Sequence, residues 1–427
     1  MKLMCLFYEP FLFFDKQIIM KFKHFFVALA IGAYSCTGTN TQGDGSVEEI
    51  MVGGNKVFVC VLDKVKSGTV TIPLSSLVED FEMVQLETKG DAFFNPNIAA
   101  ITFSENYIGV CILNDNYKLF DRSGKFLCTL SRRGRVPGEY PFSLNDAIID
   151  EKNGLVYLAA VPGKILVYSI SCQFLKEIVA PPMSFPKIFL SDGILSLVHD
   201  PRMYQHQNNP PVNEANAIMY KFDIKTDELL EKIAPPFEHL IVRKVGAQIF
   251  SAQNVPGVFD FFPDYFETDQ YDTLYHIDVK KNKFQPFFAM QYNFTKARDK
   301  PIFFQLNKDL MMITLKETTP AGYYVEKDLI ATNLKNKTSQ RVKIVNDYLG
   351  DINAVPKGYH SKFHRGYYVC SIQPEELMEN IEKRLAERTC TEADREVLKK
   401  TLSKLKEGTN NVVLFGKLKG EIATKLW

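Results

Sequence analysis

The sequence predicts an all-β fold, a six-bladed β-propeller with a small helical insertion in its last blade. Three observations predict it. A hydrophobic pair, a short polar turn and a second strand recur along the chain, at roughly the 50-residue spacing of propeller blades. The stretch from Arg132 to Ile178 reads as a Gly/Pro loop followed by short strands, which is one whole blade. A final apolar run, Asn411 to Phe415, closes the series.

The recurring unit appears first as Lys118 to Leu127 and then as Leu166 to Leu175. It returns at Met219 to Leu229 and Thr273 to Asp278, with a fainter copy at Leu329 to Leu334. Within Arg132–Ile178, Gly134, Pro137 and Gly138 supply tight turns. Asn153-Gly154 is the strongest short-range hairpin signal. Leu155–Leu158, Ile165–Tyr168 and Phe174–Ile178 are the strands that follow. The last blade is expected to close the ring with a strand from near Val57.

The N-terminus carries an address. Met20 to His24 is a short basic region, Phe25 to Ala33 is apolar, and Ala33-Tyr34-Ser35-Cys36 follows. A basic region, a short apolar run and small residues ahead of a cleavage point make a secretory signal. The apolar run is too short for an ordinary membrane span. Residues 1–36 are therefore read as leader and signal, with translation starting at Met20. Residues 37–55, rich in Gly, Thr, Asn and Ser, read as a flexible tether. The propeller is assigned to 56–420.

The helical insertion is assigned to 374–407. Pro374 suits a first helical position. Leu377, Ile381 and Leu385 share one face. Thr391 with Asp394 resembles a capping box ahead of a second helix, whose apolar face is Leu398, Leu402 and Leu405, stopped by Gly408.

Composition is that of an ordinary globular protein: 427 residues, 46% hydrophobic, formal charge +1. It carries no nucleic-acid footprint. Cys60, Cys111, Cys128, Cys172, Cys370 and Cys390 mostly sit among apolar strand residues, and are read as buried free thiols. No motif implies a cofactor.

The Gly134-Arg135-Val136-Pro137-Gly138-Glu139-Tyr140 run, followed by Gly154-Leu155-Val156-Tyr157 and Ile165–Tyr168, resembles an NHL-type blade. With Cys36, Ile72–Leu77, Leu119–Leu127 and Tyr271–Ile277, residues 57–418 resemble the six-bladed β-propeller lipoproteins of Bacteroides-type bacteria, with NHL- or TolB-like repeats. The resemblance implies Cys36 as the lipidated N-terminus and an outer-membrane location. It implies no reaction.

Candidate chemistry is sparse. Arg132, Arg133 and Arg135 are placed to clamp a carboxylate or phosphate, with Glu139 as an internal competitor. His199 and His206 fall in an apparent loop, where propellers carry function. His360 and His364 have the spacing of two metal ligands on one face, without a third. The aromatic run from Phe259 to Phe294 is expected to pack between blades. The resulting expectation is an envelope-anchored propeller that binds a glycan, peptide or protein and performs no catalysis. A polymer-degrading lyase or hydrolase with its site in the central funnel is one alternative. A structural subunit of an outer-membrane complex is another. A funnel with converging His, Arg and carboxylate groups favours the enzyme.

Overall fold

A computed structural model of the chain describes residues 43–420, apart from 95–97, 113–114, 184–185, 200–216, 235–248, 264–271, 292–298, 319–323 and 356–361. Four strands precede the ring: β1 (Val47–Val52), β2 (Asn55–Val61), β3 (Lys66–Pro73) and β4 (Val78–Gln85). Blade 1 is β5 (Ile98–Phe103), β6 (Tyr107–Ile112), β7 (Asn116–Asp121) and β8 (Phe126–Arg132). Blade 2 is β9 (Leu144–Asp150), β10 (Leu155–Ala160), β11 (Lys164–Ser169) and β12 (Phe174–Val179). Blade 3 is β13 (Lys187–Ser191), β14 (Ile194–Val198), β15 (Met219–Asp223) and β16 (Leu229–Ile233). Blade 4 is β17 (Ile249–Phe250), β18 (Phe259–Pro263), β19 (Asp272–Asp278) and β20 (Lys283–Gln291). Blade 5 is β21 (Asp299–Asn307), β22 (Leu310–Thr318), β23 (Tyr324–Asn333) and β24 (Thr338–Asn346), followed by β25 (Ile352–Asn353). Blade 6 is β26 (Phe363–His364), β27 (Tyr367–Ile372) and β28 (Val412–Leu418), completed by β4.

The repeat signature has a physical cause. Each copy is the third strand of a blade and its turn into the fourth. Successive strand residues face opposite sides, so the hydrophobic pair sends one side chain into each neighbouring inter-blade core. Leu119 enters the core between blades 1 and 2, and Phe120 the core between blades 6 and 1. Leu166 and Val167 divide between the cores on either side of blade 2. Val413 and Leu414 do the same in blade 6. Strands buried on both faces read as continuous apolar runs.

Ring closure differs from the expectation. The outer strand of blade 6 is β4, antiparallel to β28 from Val412↔Gln85 to Leu418↔Val78. The strand near Val57 instead adds to the outer edge of blade 4, where β2 runs parallel to β20. β3 adds in parallel to β24 of blade 5. The N-terminal strands thus form a belt round blades 4, 5 and 6. Part of the expected tether belongs to it, because Val47–Val52 pairs with β2. Cys36 and the rest of the leader lie outside the described residues.

The helices α1 (Pro374–Ala386) and α2 (Glu392–Leu402) connect β27 to β28. Thr391 and Asp394 form the capping box, with reciprocal bonds of 3.1 and 3.0 Å. Leu377, Ile381, Leu398 and Leu405 join the core of blades 5 and 6. α2 stops at Leu402, short of Gly408, so that Leu405 turns inward. No helix among the described residues is long and apolar enough to cross a membrane.

One cysteine expectation is corrected. Cys128 of β8 and Cys172 form a disulfide between blades 1 and 2. Cys172 occupies the left-handed region, φ +74°, at the turn from β11 to β12. The expectation of free thiols rests on the apolar strand setting of most of the cysteines, and partners in adjacent blades have no local signature. Cys60, Cys111, Cys370 and Cys390 are buried and free, as expected.

Candidate functional site

The strands of a blade alternate in direction, so the loops entering each blade and those joining its second and third strands share one face. That face carries the Arg132–Tyr140 loop. Gly134 leaves room for the Glu139 carboxylate, since a Cβ there would lie 1.7 Å from Oε2. Glu139 accepts the Val136 backbone N–H at 3.2 Å and Arg132 Nε at 2.9 Å. These donors hold its pKa below the usual carboxylate value, the Val136 amide foremost. The loop is therefore self-braced. Arg132 keeps its guanidinium largely in solvent despite the pair. Arg133 donates to the Pro141 carbonyl at 3.4 Å, and Arg135 is exposed. Val136, Phe142 and Phe93, on loops of the same face, are 59%, 58% and 55% exposed.

His199 is not a surface-loop group. It ends β14 fully buried, donates from Nε2 to the Ala217 carbonyl at 2.8 Å and stacks on Tyr220. His206 and His360 lie outside the described residues. Among the described residues, which include His364 but not His360, no group of three or more His, Cys, Asp and Glu side chains suited to a metal occurs.

His364 does belong to a polar cluster at the ring centre that sequence reasoning missed. Its hub is Arg365, at φ +51° in the hairpin turn between β26 and β27. Arg365 donates from Nη2 to Asp146 Oδ2 of blade 2 at 3.0 Å and to the Ile188 carbonyl of blade 3 at 3.1 Å. Nη1 bonds the Ala147 carbonyl, and Nε reaches Gln253 Oε1 at 3.3 Å. Its backbone N–H bonds the Ala252 carbonyl of blade 4 at 2.7 Å. One side chain of blade 6 thereby ties three other blades together. Asn254 extends the web, donating to the Gln305 carbonyl of blade 5 at 2.9 Å and the Phe363 carbonyl of blade 6 at 3.1 Å.

Every carboxylate in this cluster has protein donors. Asp146 also accepts the Ile188 N–H at 3.0 Å. Burial pushes its pKa up, but Arg365, Lys187 and the backbone donors bring it below the ordinary value. Asp260 accepts the Ala252 and Gln253 amides at 3.0 and 2.6 Å, yet burial holds its pKa up. Burial and the Arg365 cation push His364 down to about 3. Burial pushes His276 down to about 4, with Nε2 donating to Gln305 Oε1 at 2.9 Å. Both imidazoles are neutral at physiological pH.

The model of the family described as a domain of unknown function (DUF4934) matches residues 57–417. The chain belongs to this family. No curated protein sequence matches the chain. Among solved structures, the chain is similar to a Bacteroides fragilis protein described as exported. That match has 14% identity and a TM-score of 0.51, over 82% of this chain and all of that one. Weaker similarities are to U3-55K (8% identity, TM-score 0.41, 78% of this chain and 98% of that one) and the WD40 domain of Toxoplasma gondii coronin. The latter has 8% identity and a TM-score of 0.34, over 72% of this chain and 70% of that one. At such identities the Bacteroides match shows the fold alone.

Proposed function

We propose that the protein is an envelope-anchored propeller that binds a ligand or protein partner and performs no catalysis. One observation carries the reading. The Arg and carboxylate groups that converge at the ring centre are engaged as a brace: Arg365 gives its donors to Asp146, Gln253 and backbone carbonyls of three blades. A catalytic acid or base needs a partner on the substrate, and here the partners are structural. Binding is assigned to the loop face of Phe93, Val136 and Phe142, with the guanidinium groups of Arg133 and Arg135 beside them. Exposed apolar side chains rimmed by polar groups suit recognition.

Two observations support export. The structural neighbour from Bacteroides fragilis is described as exported. The Cys128–Cys172 disulfide suits an oxidising compartment. Anchoring through Cys36 at the outer membrane rests on the signal pattern.

The test pairs retention with turnover. The full chain is offered immobilised acidic polysaccharides and peptides, and both bound material and released product are measured. The reading expects saturable retention, no product, and weaker retention with Arg133→Ala plus Arg135→Ala. Product release that disappears in Asp146→Asn or His364→Gln overturns it in favour of the enzyme. For the anchor, Cys36→Ala is expected to leave the membrane fraction, and its persistence there sinks that assignment.

A further inference from the structure

The outer strands of blades 1 to 4 share one irregularity. In each, one residue is squeezed out of register, the second of the strand in β8, β12 and β16 and the fifth in the longer β20. It is Leu127 in β8, Leu175 in β12, Leu230 in β16 and Phe287 in β20. Each is a β-bulge, and each is a large apolar residue.

They differ in what covers them. Phe287 is partly buried and packs edge-on against Phe58 of β2, with ring centroids 5.9 Å apart. Leu127, Leu175 and Leu230 are 39%, 47% and 50% exposed. Bulges commonly blunt an edge against further pairing. Blade 4 shows that this one does not. β2 pairs in parallel immediately beyond it, from Phe58↔Phe288 to Val61↔Gln291.

We infer that the outer edge of blade 2 is a docking site for an extended apolar-rich segment of a partner protein, added parallel to β12 as β2 is added to β20. The interface is separate from the loop face proposed above. Blade 2 fits best for three reasons. Beyond Leu175 it offers Lys176–Val179 in unbroken register with β11, matching Phe288–Gln291. In β8 a second register shift interrupts that stretch, and in β16 Glu231 is tied to Lys221 and Asn282. Val179, at 75%, is the most exposed large apolar side chain among the described residues.

The chemistry of the occupant follows. Lys176 and Glu177 are already paired with Asp227 and Lys164, so the edge presents backbone groups and apolar surface rather than free charge. Recognition is by main-chain hydrogen bonds with side chains at alternate positions. An aromatic residue over Leu175 plays the part of Phe58. The disulfide at Cys172 fixes the turn leading into β12, which lowers the ordering cost of binding.

The probe is a fluorescein-labelled peptide of the chain's own residues 55–61 carrying Cys60→Ser, titrated into the full chain. Expected are saturable binding by anisotropy and slowed amide exchange at residues 176–179. Leu175→Lys is expected to weaken affinity at least tenfold, and Val397→Lys, an exposed site on α2, to leave it unchanged. The inference is overturned by no saturable binding, by indifference to Leu175→Lys, or by protection confined to β20. Concentration-dependent dimerisation abolished by Leu175→Lys also overturns it, because the occupant is then a second copy. Loss of peptide binding with retention on the polymers above intact sinks this inference and leaves the binding-module reading standing.

Discussion

Blades 4 to 6 and blades 1 to 3 are built on the same hairpin repeat, but they finish their outer edges differently. In the first group the N-terminal strands do it: β1 and β2 cover the outer strand of blade 4, β3 covers that of blade 5, and β4 is itself the outer strand of blade 6. In the second group the outer strands face solvent, and the blades are fastened side to side. Cys128–Cys172 joins blades 1 and 2, Lys176–Asp227 joins blades 2 and 3, and Lys280–Asp192 joins blades 3 and 4. A ring can therefore be secured by covering its edges or by cross-linking its neighbours. Cross-linking leaves the outer strands of blades 1 to 3 open, whereas those of blades 4 and 5 are covered. Arg365 couples the halves, because it leaves blade 6 and bonds blades 2 and 3.

The coupling is the first thing to break. Arg365→Met leaves Asp146 buried without its cation, and removal of one partner from such a pair costs about 3–5 kcal/mol. Denaturant unfolding of the variant is expected to show that loss, and a wild-type midpoint would demote the hub to decoration.

Next is the covalent fastening of the open half. Its cysteines are 44 residues apart in sequence, and Cys128→Ser with Cys172→Ser is expected to cost about 2–4 kcal/mol. Reductant should reproduce the shift in wild type and leave the double variant unmoved.

Acid should act on the belted half, where His364 and His276 sit. Their folded pKa values, about 3 and about 4, lie below 6.5. The unfolded chain therefore binds protons that the folded chain refuses. Stability falls as pH drops below about 6.5, by up to about 1.4 kcal/mol per pH unit for each histidine. His364→Gln is expected to remove one proton's share of the slope measured by denaturation from pH 7 to 5. An unchanged slope would separate His364 from the effect.

The smallest effect is the sharpest comparison. Phe287→Ala and Leu175→Ala alter equivalent bulges. The covered one is expected to cost about 1.5 kcal/mol and the open one less than about 0.5 kcal/mol. Equal losses would mean that Leu175 is packed after all.

The sequence made legible whatever rests on local signals. The hydrophobic pairs marked the third strand of each blade because each pair serves two cores. The Thr391–Asp394 box marked α2 because capping is decided within four residues. Partnerships across the ring left no such mark. β4 carries strand alternation and β2 a continuous apolar run, both ordinary strand signals, and only its pairing with Val412–Leu418 makes β4 the closing strand. Cys128 follows Leu127 on a strand and Cys172 sits between Ser171 and Gln173 in a turn, and neither setting names the other as its partner. His199 precedes Asp200-Pro201, which reads as a loop, yet the end of β14 draws it inside. At the candidate site, the pairing of Arg132 with Glu139 was readable from their proximity. Arg365 was not, because its partners come from three other blades. The Arg365-Gly366 turn, with both residues at positive φ, is a hairpin turn like Asp192-Gly193 and carries no mark of its distant partners.

The belt also sets an order of events. Strands β2, β3 and β4 are made before the blades they join, whose partner strands lie between Lys283 and Leu418. Contacts so distant along the chain form slowly, because a long loop must close before any pairing rewards it. Until blades 4 to 6 exist, β2 has only its hairpin with β1, and β3 and β4 have no sheet to join. These earlier strands are the last to be fastened, and an unfinished chain exposes them throughout its passage to the folded state.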